Sequence, residues 1–159
     1  MTVASPSVTL RRAEQGDDPF LRCVYASTRE EELAPLPWSD DEKAVFLRQQ
    51  FDAQDEHYRR HYDGASFDVI VLEGVPVGRL FVARWHDEIR IMDLALLIEH
   101  RAAGIGTSVL SQLLDEGKRA RKRLSVHVEK YNPAFRLYER LGFRAVADKG
   151  VYLLMEASP

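Results

Sequence analysis

The sequence has almost no cysteine. Cys23 stands alone among 159 residues, so no internal disulfide can form, and a reducing, cytoplasmic setting is the expectation. Long apolar runs are missing too. None approaches the ~20 residues that a membrane-spanning helix needs, so no membrane partner is expected. The opening stretch "MTVASPSVTLRR" has no basic segment followed by an apolar one, and no signal peptide is expected. Repeats, low-complexity tracts and a dividing linker are absent, so residues 1–159 are read as a single domain. Metal-ligand spacing is also lacking. His57 and His61, four apart, could share a helix face, but no third ligand is evident nearby and no metal is expected. What remains, with 45% hydrophobic and 30% charged residues, is an ordinary globular composition in a chain long enough to bury a core without disulfides or metals.

The formal net charge is −3, but the charges are sorted along the chain. Between Thr28 and Glu56 the acids Glu30, Glu31, Glu32, Asp40, Asp41, Glu42, Asp52, Asp55 and Glu56 meet only Arg29, Lys43 and Arg48. Between Gly117 and Arg144 the balance reverses: Lys118, Arg119, Arg121, Lys122, Arg123, Lys130, Arg136, Arg140 and Arg144 face only Glu129 and Glu139. Two solvated helix faces would explain this. So would a ligand with an anionic end on one side and a cationic partner on the other.

The local patterns give the order β α α β β β α β α β β. "SVTLRRA" reads as a strand, and "DDPFLRCVYAST" as a helix capped by Asp17 or Asp18 with Pro19 early in it. "LAPLPW" is a proline-broken connection. Ser39 and Glu42 have capping-box spacing before a run that puts Leu47, Phe51, Gln54 and Tyr58 on one face and ends at Gly64. The period then changes. "FDVIVLE" and "VPVGRLFVARW" form a hairpin around Gly74, and "EIRIMDLALLI" follows the His86–Asp87 turn as a third antiparallel strand. A glycine-fronted helix comes next, then the strand "LSVHVE". "NPAFRLYERL" is a short helix, with Asn132 as N-cap, Pro133 at its first position and Gly142 as its stop. "FRAVA" and "VYLLMEA" flank Asp148-Lys149-Gly150, a second hairpin. The expected fold class is α+β, a mixed and mostly antiparallel sheet with helices on both faces.

The glycine-fronted helix carries the chemistry. In "EHRAAGIGTSVLSQLL" Gly104 and Gly106 stand where glycine costs roughly 0.8–1 kcal/mol relative to alanine. The first turn of a helix presents unpaired N–H groups and a partial positive charge, and a phosphate can lie on them where no Cβ intervenes. Arg101 adds a full charge at the rim. No lysine sits at the Walker position, so this is not a P-loop. A Rossmann fingerprint also fits badly, because Val109 stands where a third small residue belongs.

Arg101-Ala102-Ala103-Gly104-Ile105-Gly106 resembles the [Q/R]-x-x-G-x-[G/A] motif of the GCN5-related N-acetyltransferase family. "NPAFRLYERLGF" from Asn132 to Phe143 is similar to that family's second signature. The likeness is tight from Ile89 to Phe143 and loose over the first sixty residues. Ala102 replaces a frequent glycine, and Ile98 a frequent proline.

The resemblance implies a reaction and a set of roles. The reaction is transfer of an acetyl group from acetyl-CoA to a primary amine by direct attack on the thioester, with no metal. The amides of Arg101, Ala102, Ala103, Gly104, Ile105, Gly106 and Thr107 would hold the pyrophosphate. Leu96, Leu97 and Ile98 would pair with the pantetheine arm, and an N–H near Leu96 would face the oxyanion. Asn132 would contact the pantetheine or a bound water. Tyr138 is the candidate general acid for the departing thiolate, or else a packing residue. Asp93, a charge inside an apolar strand, is the candidate base or a hydrogen-bonded structural aspartate, with Glu88 and Glu129 as alternatives. The acidic cluster falls on the elements that wall the acceptor side of this fold. It points to a cationic acceptor, a small amine or a peptide, and away from nucleic acid. The expected assembly is a monomer or a homodimer. The rival readings are a non-catalytic domain that binds coenzyme A and regulates a partner, and a module for ATP or NAD.

Overall fold

The computed structural model describes residues 7–159. Its elements are β1 (Val8–Arg12), α1 (Asp18–Leu33), α2 (Asp40–His61), β2 (Ser66–Leu72), β3 (Val75–Arg84), β4 (Glu88–Leu96), α3 (Ile105–Ala120), β5 (Arg123–Glu129), α4 (Ala134–Arg140), β6 (Arg144–Asp148) and β7 (Tyr152–Ala157). This is the order the sequence predicts. At α2 the boundary is set as expected: Ser39 Oγ accepts from the Glu42 N–H at 3.1 Å, and Glu42 reaches back to the Ser39 N–H.

The start of α1 differs from the expectation. Asp17 makes no side-chain cap to that helix. Its carboxylate accepts two Arg11 N–H groups at 2.8 Å and the Glu14 N–H at 2.7 Å, closing a 3₁₀ turn over Gln15–Asp17. The Arg11 guanidinium, helped by the Glu14 amide, holds the Asp17 carboxyl down at about 2. An unfolded aspartate titrates near about 3.9. A carboxylate depressed in the folded state stabilises above its unfolded pKa, and that contribution is lost as pH falls through the folded value. Asp17→Asn should therefore melt earlier than the wild type at pH 6. The gap should close as both are melted at successively lower pH between about 4 and 2.

The seven strands run in the order β1-β2-β3-β4-β5-β7-β6. Every neighbouring pair is antiparallel except β4 and β5, which are parallel and joined through α3. On one face Ile89, Ile91, Val126 and Val128 pack with Ile105, Val109, Leu110 and Leu113 of α3 and Tyr138 of α4. On the other face Val69, Val71, Phe81 and Met92 meet Leu21 and Tyr25 of α1 and Phe51 and Tyr58 of α2.

Two irregularities in β4 shape the middle of the sheet. Phe81 pairs with Asp93 but Val82 with Ile91, so Met92 is an extra residue. This bulge turns consecutive side chains to one face: Met92 packs beneath α1 and α2, and Asp93 bonds Tyr58 of α2. The second irregularity is a split. β4 pairs with β5 only from Glu88↔Arg123 to Ile91↔Val126. Beyond that β4 stays with β3 as far as Leu96↔Gly78, while β5 continues beside β7 to Glu129↔Tyr152. Gly78 is needed here, because a Cβ would lie 2.3 Å from the Ala95 carbonyl oxygen.

The strand ends at Leu96, two residues before the expected Ile98. The Leu97 N–H still bonds Val77 at 2.9 Å. Bonds from the His100 N–H to Leu97 and from the Arg101 N–H to Ile98 then coil Ile98–His100 into a 3₁₀ turn.

Candidate active site

The turn delivers the chain to α3 with its backbone donors bare. Gly104 adopts φ 82°, ψ 1°, a left-handed conformation that side chains resist. Ala102 also lies in that region, at φ 58°, which gives a physical reason for the glycine common at this position of the motif. The first helical bond runs from the Ser108 N–H to the Gly104 carbonyl at 3.0 Å. Among the described residues no acceptor reaches the amides of Ala102, Ala103, Gly104, Ile105, Gly106 or Thr107. The row is one shorter than expected, since the Arg101 N–H is taken by Ile98 at 3.2 Å. A Cβ at Gly106 would lie 3.4 Å from Leu137 Cδ2 of α4, an ordinary contact, so this position packs beside α4. Free amides at a helix N-terminus, with Arg101 exposed at the rim, suit a pyrophosphate.

The split opens at the same end of the sheet. Because the Leu97 N–H points to β3, the strand's alternation turns the N–H and carbonyl of Leu96 toward the gap. The Leu96 carbonyl is held by Arg101 Nε at 3.0 Å. Its N–H has no acceptor among the described residues. Leu97 continues the ladder, but Ile98 lies in the turn and is exposed, so it does not extend the edge that an extended ligand could pair with.

From the other side of the gap come Asn132 and Tyr138. Asn132 Oδ1 accepts from the Ala134 N–H at 2.8 Å. It satisfies the first amide of α4, but the helix begins at Ala134 with Pro133 at the N-cap, one residue later than expected. Tyr138 is 6% exposed and packs edge-on against Phe143, with centroids 5.3 Å apart. Its hydroxyl has no hydrogen-bond partner among the described residues. Burial pushes that hydroxyl above the ordinary tyrosine range, and the charge of Asp93 adds to the shift. The raised value is opposite to the modest lowering that would favour proton transfer to a thiolate. It keeps the phenol protonated.

Asp93 lies on the opposite face and is not free. Arg79, 2% exposed on β3, donates to it from Nη2 at 2.7 Å and from Nε at 3.3 Å. Tyr58 donates at 3.3 Å, and Arg79 Nη2 also reaches Gln54 Oε1 at 3.0 Å. The guanidinium lies over the rings of Phe81 and Tyr25, at 4.9 and 5.6 Å. A proton taken up by Asp93 would cost this pairing, which sets the residue against the base role expected of it. Arg79 was not foreseen. The available signal was an arginine in the middle of the apolar run "VPVGRLFVA", beside a strand interrupted by an aspartate. Glu88 is less suited still. It lies at the closed end of the split and accepts from Ser125, from Arg123 at 2.6 Å and from Arg90 at 2.9 Å. Burial alone would raise its pKa, but these partners outweigh burial and lower it. Glu129 is exposed at the end of β5.

The charge runs divide. Asp52, Asp55 and Glu56 pair with Arg22, Arg59 and Arg60. Glu30, Glu31, Asp40 and Asp41 have no ion pair among the described residues and flank the connection between α1 and α2. Of the basic run, Lys118, Arg119, Arg121 and Lys122 lie at the end of α3 remote from the amides, about 24 Å away for a 16-residue helix. Arg136 and Arg140 are exposed on α4, whose Leu137 touches the first turn of α3. Two cavities, of about 250 and 270 Å³, lie between β1 and α3 and between α1 and α2, away from the split.

A bulged β4, a split between two parallel neighbours and a bare helix N-terminus at its mouth define the acyltransferase class that the motifs imply. The chain belongs to the Acetyltransferase (GNAT) family, whose model matches residues 25–143, and it is an acetyl-CoA-dependent acyltransferase. Similar solved structures include the PaiA N-acetyltransferase of Thermoplasma acidophilum in complex with coenzyme A. It has a TM-score of 0.74 and 16% identity over 96% of this chain and 99% of that one. An acetyltransferase of Thermus thermophilus has a TM-score of 0.68 and 22% identity over 98% and 97%. Naa50 of Arabidopsis thaliana in complex with the bisubstrate analogue CoA-Ac-MVNAL has a TM-score of 0.61 and 17% identity over 96% and 99%. No curated protein sequence matches the chain. No helix among the described residues is long and apolar enough to cross a membrane.

Proposed function

We propose that the protein transfers an acetyl group from acetyl-CoA to the primary amine of a cationic acceptor, a small amine or a peptide. The row of free amides from Ala102 to Thr107 at the mouth of the split carries this reading. These amides take the pyrophosphate. The Leu96 edge of β4 takes the extended arm, and the Leu96 N–H donates to the oxyanion as the amine attacks. Asn132 borders the arm from the α4 side. Tyr138 donates to the departing sulfur: burial keeps its proton in place until charge develops there. Asp93, fixed by Arg79, holds the bulge and lends negative charge to the amine's side of the sheet. The unpaired acids beside the α1–α2 connection favour a cationic acceptor and disfavour the phosphates of transfer RNA.

The test follows thiol release with spermidine, a lysine peptide and an aminoacyl-transfer RNA. The first two should react faster; the reverse order would sink the charge argument. Tyr138→Phe should lower kcat about 100-fold while keeping the wild-type melting shift with acetyl-CoA. An unchanged kcat would leave Tyr138 as packing alone.

A further inference from the structure

We propose that His127 is the group that takes the proton from the incoming amine, through one water. This rests on the N-acetyltransferase reading above and supplies the base that reading lacks. The placement comes from strand register. The last β4–β5 pair is Ile91↔Val126, so His127 is the first residue of β5 beyond the point where the strands part. Alternation settles its face. Leu124, Val126 and Val128 enter the core under α3, so Ser125, His127 and Glu129 point to the opposite side. That is the side of Arg90, which bonds Ser125, and of Met92 beneath α1 and α2. Tyr138 stands with the α3 face. The two groups thus flank one gap from opposite faces of the sheet, as a proton acceptor for the nucleophile and a donor for the leaving group require.

His127 is also uncommitted. Its side chain is exposed, and no hydrogen bond reaches its ring among the described residues. Asp93 and Glu88, by contrast, are held by guanidinium groups. The groups around His127 come from three elements. Glu88 and Arg90 lie on β4, Lys149 in the β6–β7 turn, and Tyr152, Leu154 and Glu156 on the same face of β7. Partial burial first, then Arg90 and Lys149, lower the imidazole pKa against a smaller opposing pull from Glu88. These influences favour the neutral ring, the form able to accept a proton.

The step balances. An alkylammonium gives one proton through water to an imidazole nitrogen, and the freed lone pair forms the C–N bond to the thioester carbon. As the C–S bond breaks, the nitrogen gives up its second proton to water, and the thiolate takes one from Tyr138, which solvent reprotonates. The imidazolium returns its proton to water.

Two nucleophiles separate the proposal from a structural role. Spermidine is protonated at pH 7 and must lose a proton; hydroxylamine is already neutral. His127→Gln should lose about 100-fold in kcat/KM with spermidine and change little with hydroxylamine. It should also lose the acidic limb of the wild-type pH profile, while acetyl-CoA gives both proteins the same melting shift. Equal losses with both nucleophiles, or none with either, would overturn the assignment. A second readout needs no acceptor. In an NMR titration with acetyl-CoA bound, the His127 ring should be neutral at pH 7, and a protonated ring refutes the proposal. Absence of any acetyl-CoA melting shift in the wild type would instead count against the N-acetyltransferase reading itself.

Discussion

Gly104→Val should abolish the rise in melting temperature that acetyl-CoA gives the wild-type protein. At a hundred times its dissociation constant a ligand adds about 2.7 kcal/mol, which for a chain of this size is roughly 5–11 °C. Gly104 sits at φ 82° directly before the free amides. A β-branched residue there costs about 1–2 kcal/mol of backbone strain and stands a side chain over the row of donors. The strain alone lowers the melting temperature by roughly 2–8 °C, so a control must carry it without the site. Gly74 serves: it has φ 83° in the β2–β3 turn, and a Cβ there meets nothing within 4 Å. Gly74→Val should melt earlier yet keep the full acetyl-CoA shift. A Gly104→Val protein that also keeps it would mean the phosphate lies elsewhere.

The order of elements was legible because each carried its own local chemistry. The Ser39–Glu42 capping box, the Gly74 turn and the Asp148-Lys149-Gly150 hairpin all act within a few residues. The bare front of α3 was legible for the same reason. What escaped depends on which strands become neighbours. The extra residue at Met92 exists only by reference to β3; that β4 splays from "LSVHVE" follows from the family resemblance, and register alone sets where the parting begins. His127 illustrates the boundary. Alternation in "LSVHVE" already turns it away from the apolar side, but its place at the fork depends on where pairing with β4 stops. The strand overrun at Ile98 has a similar origin. Its side chain suits a strand, and backbone bonds from His100 and Arg101 coil it instead.

Asp93 was conspicuous as an acid interrupting the apolar run of its strand; its partner was not, although Arg79 interrupts its own strand in the same way. The pair is buried on the α1–α2 face, with side-chain exposures of 2% and 15%. Removing one member of such a pair strands the other charge away from water. Arg79→Met should destabilise the fold by about 3–5 kcal/mol, a fall in melting temperature of roughly 6–20 °C. Removing both charges should recover most of that loss, because a buried pair exchanged for apolar groups of similar volume is often neutral or better. The double variant Arg79→Met, Asp93→Leu is therefore expected to melt near the wild type, and this makes it useful for function. If Asp93 serves as an anchor for the bulge, the double variant keeps kcat/KM with spermidine within about threefold. If Asp93 accepts the amine's proton, the same stable protein loses about 100-fold, and the role assigned to His127 passes to Asp93. An Arg79→Met protein that melts with the wild type would show that water reaches the pair and that the bulge stands without it.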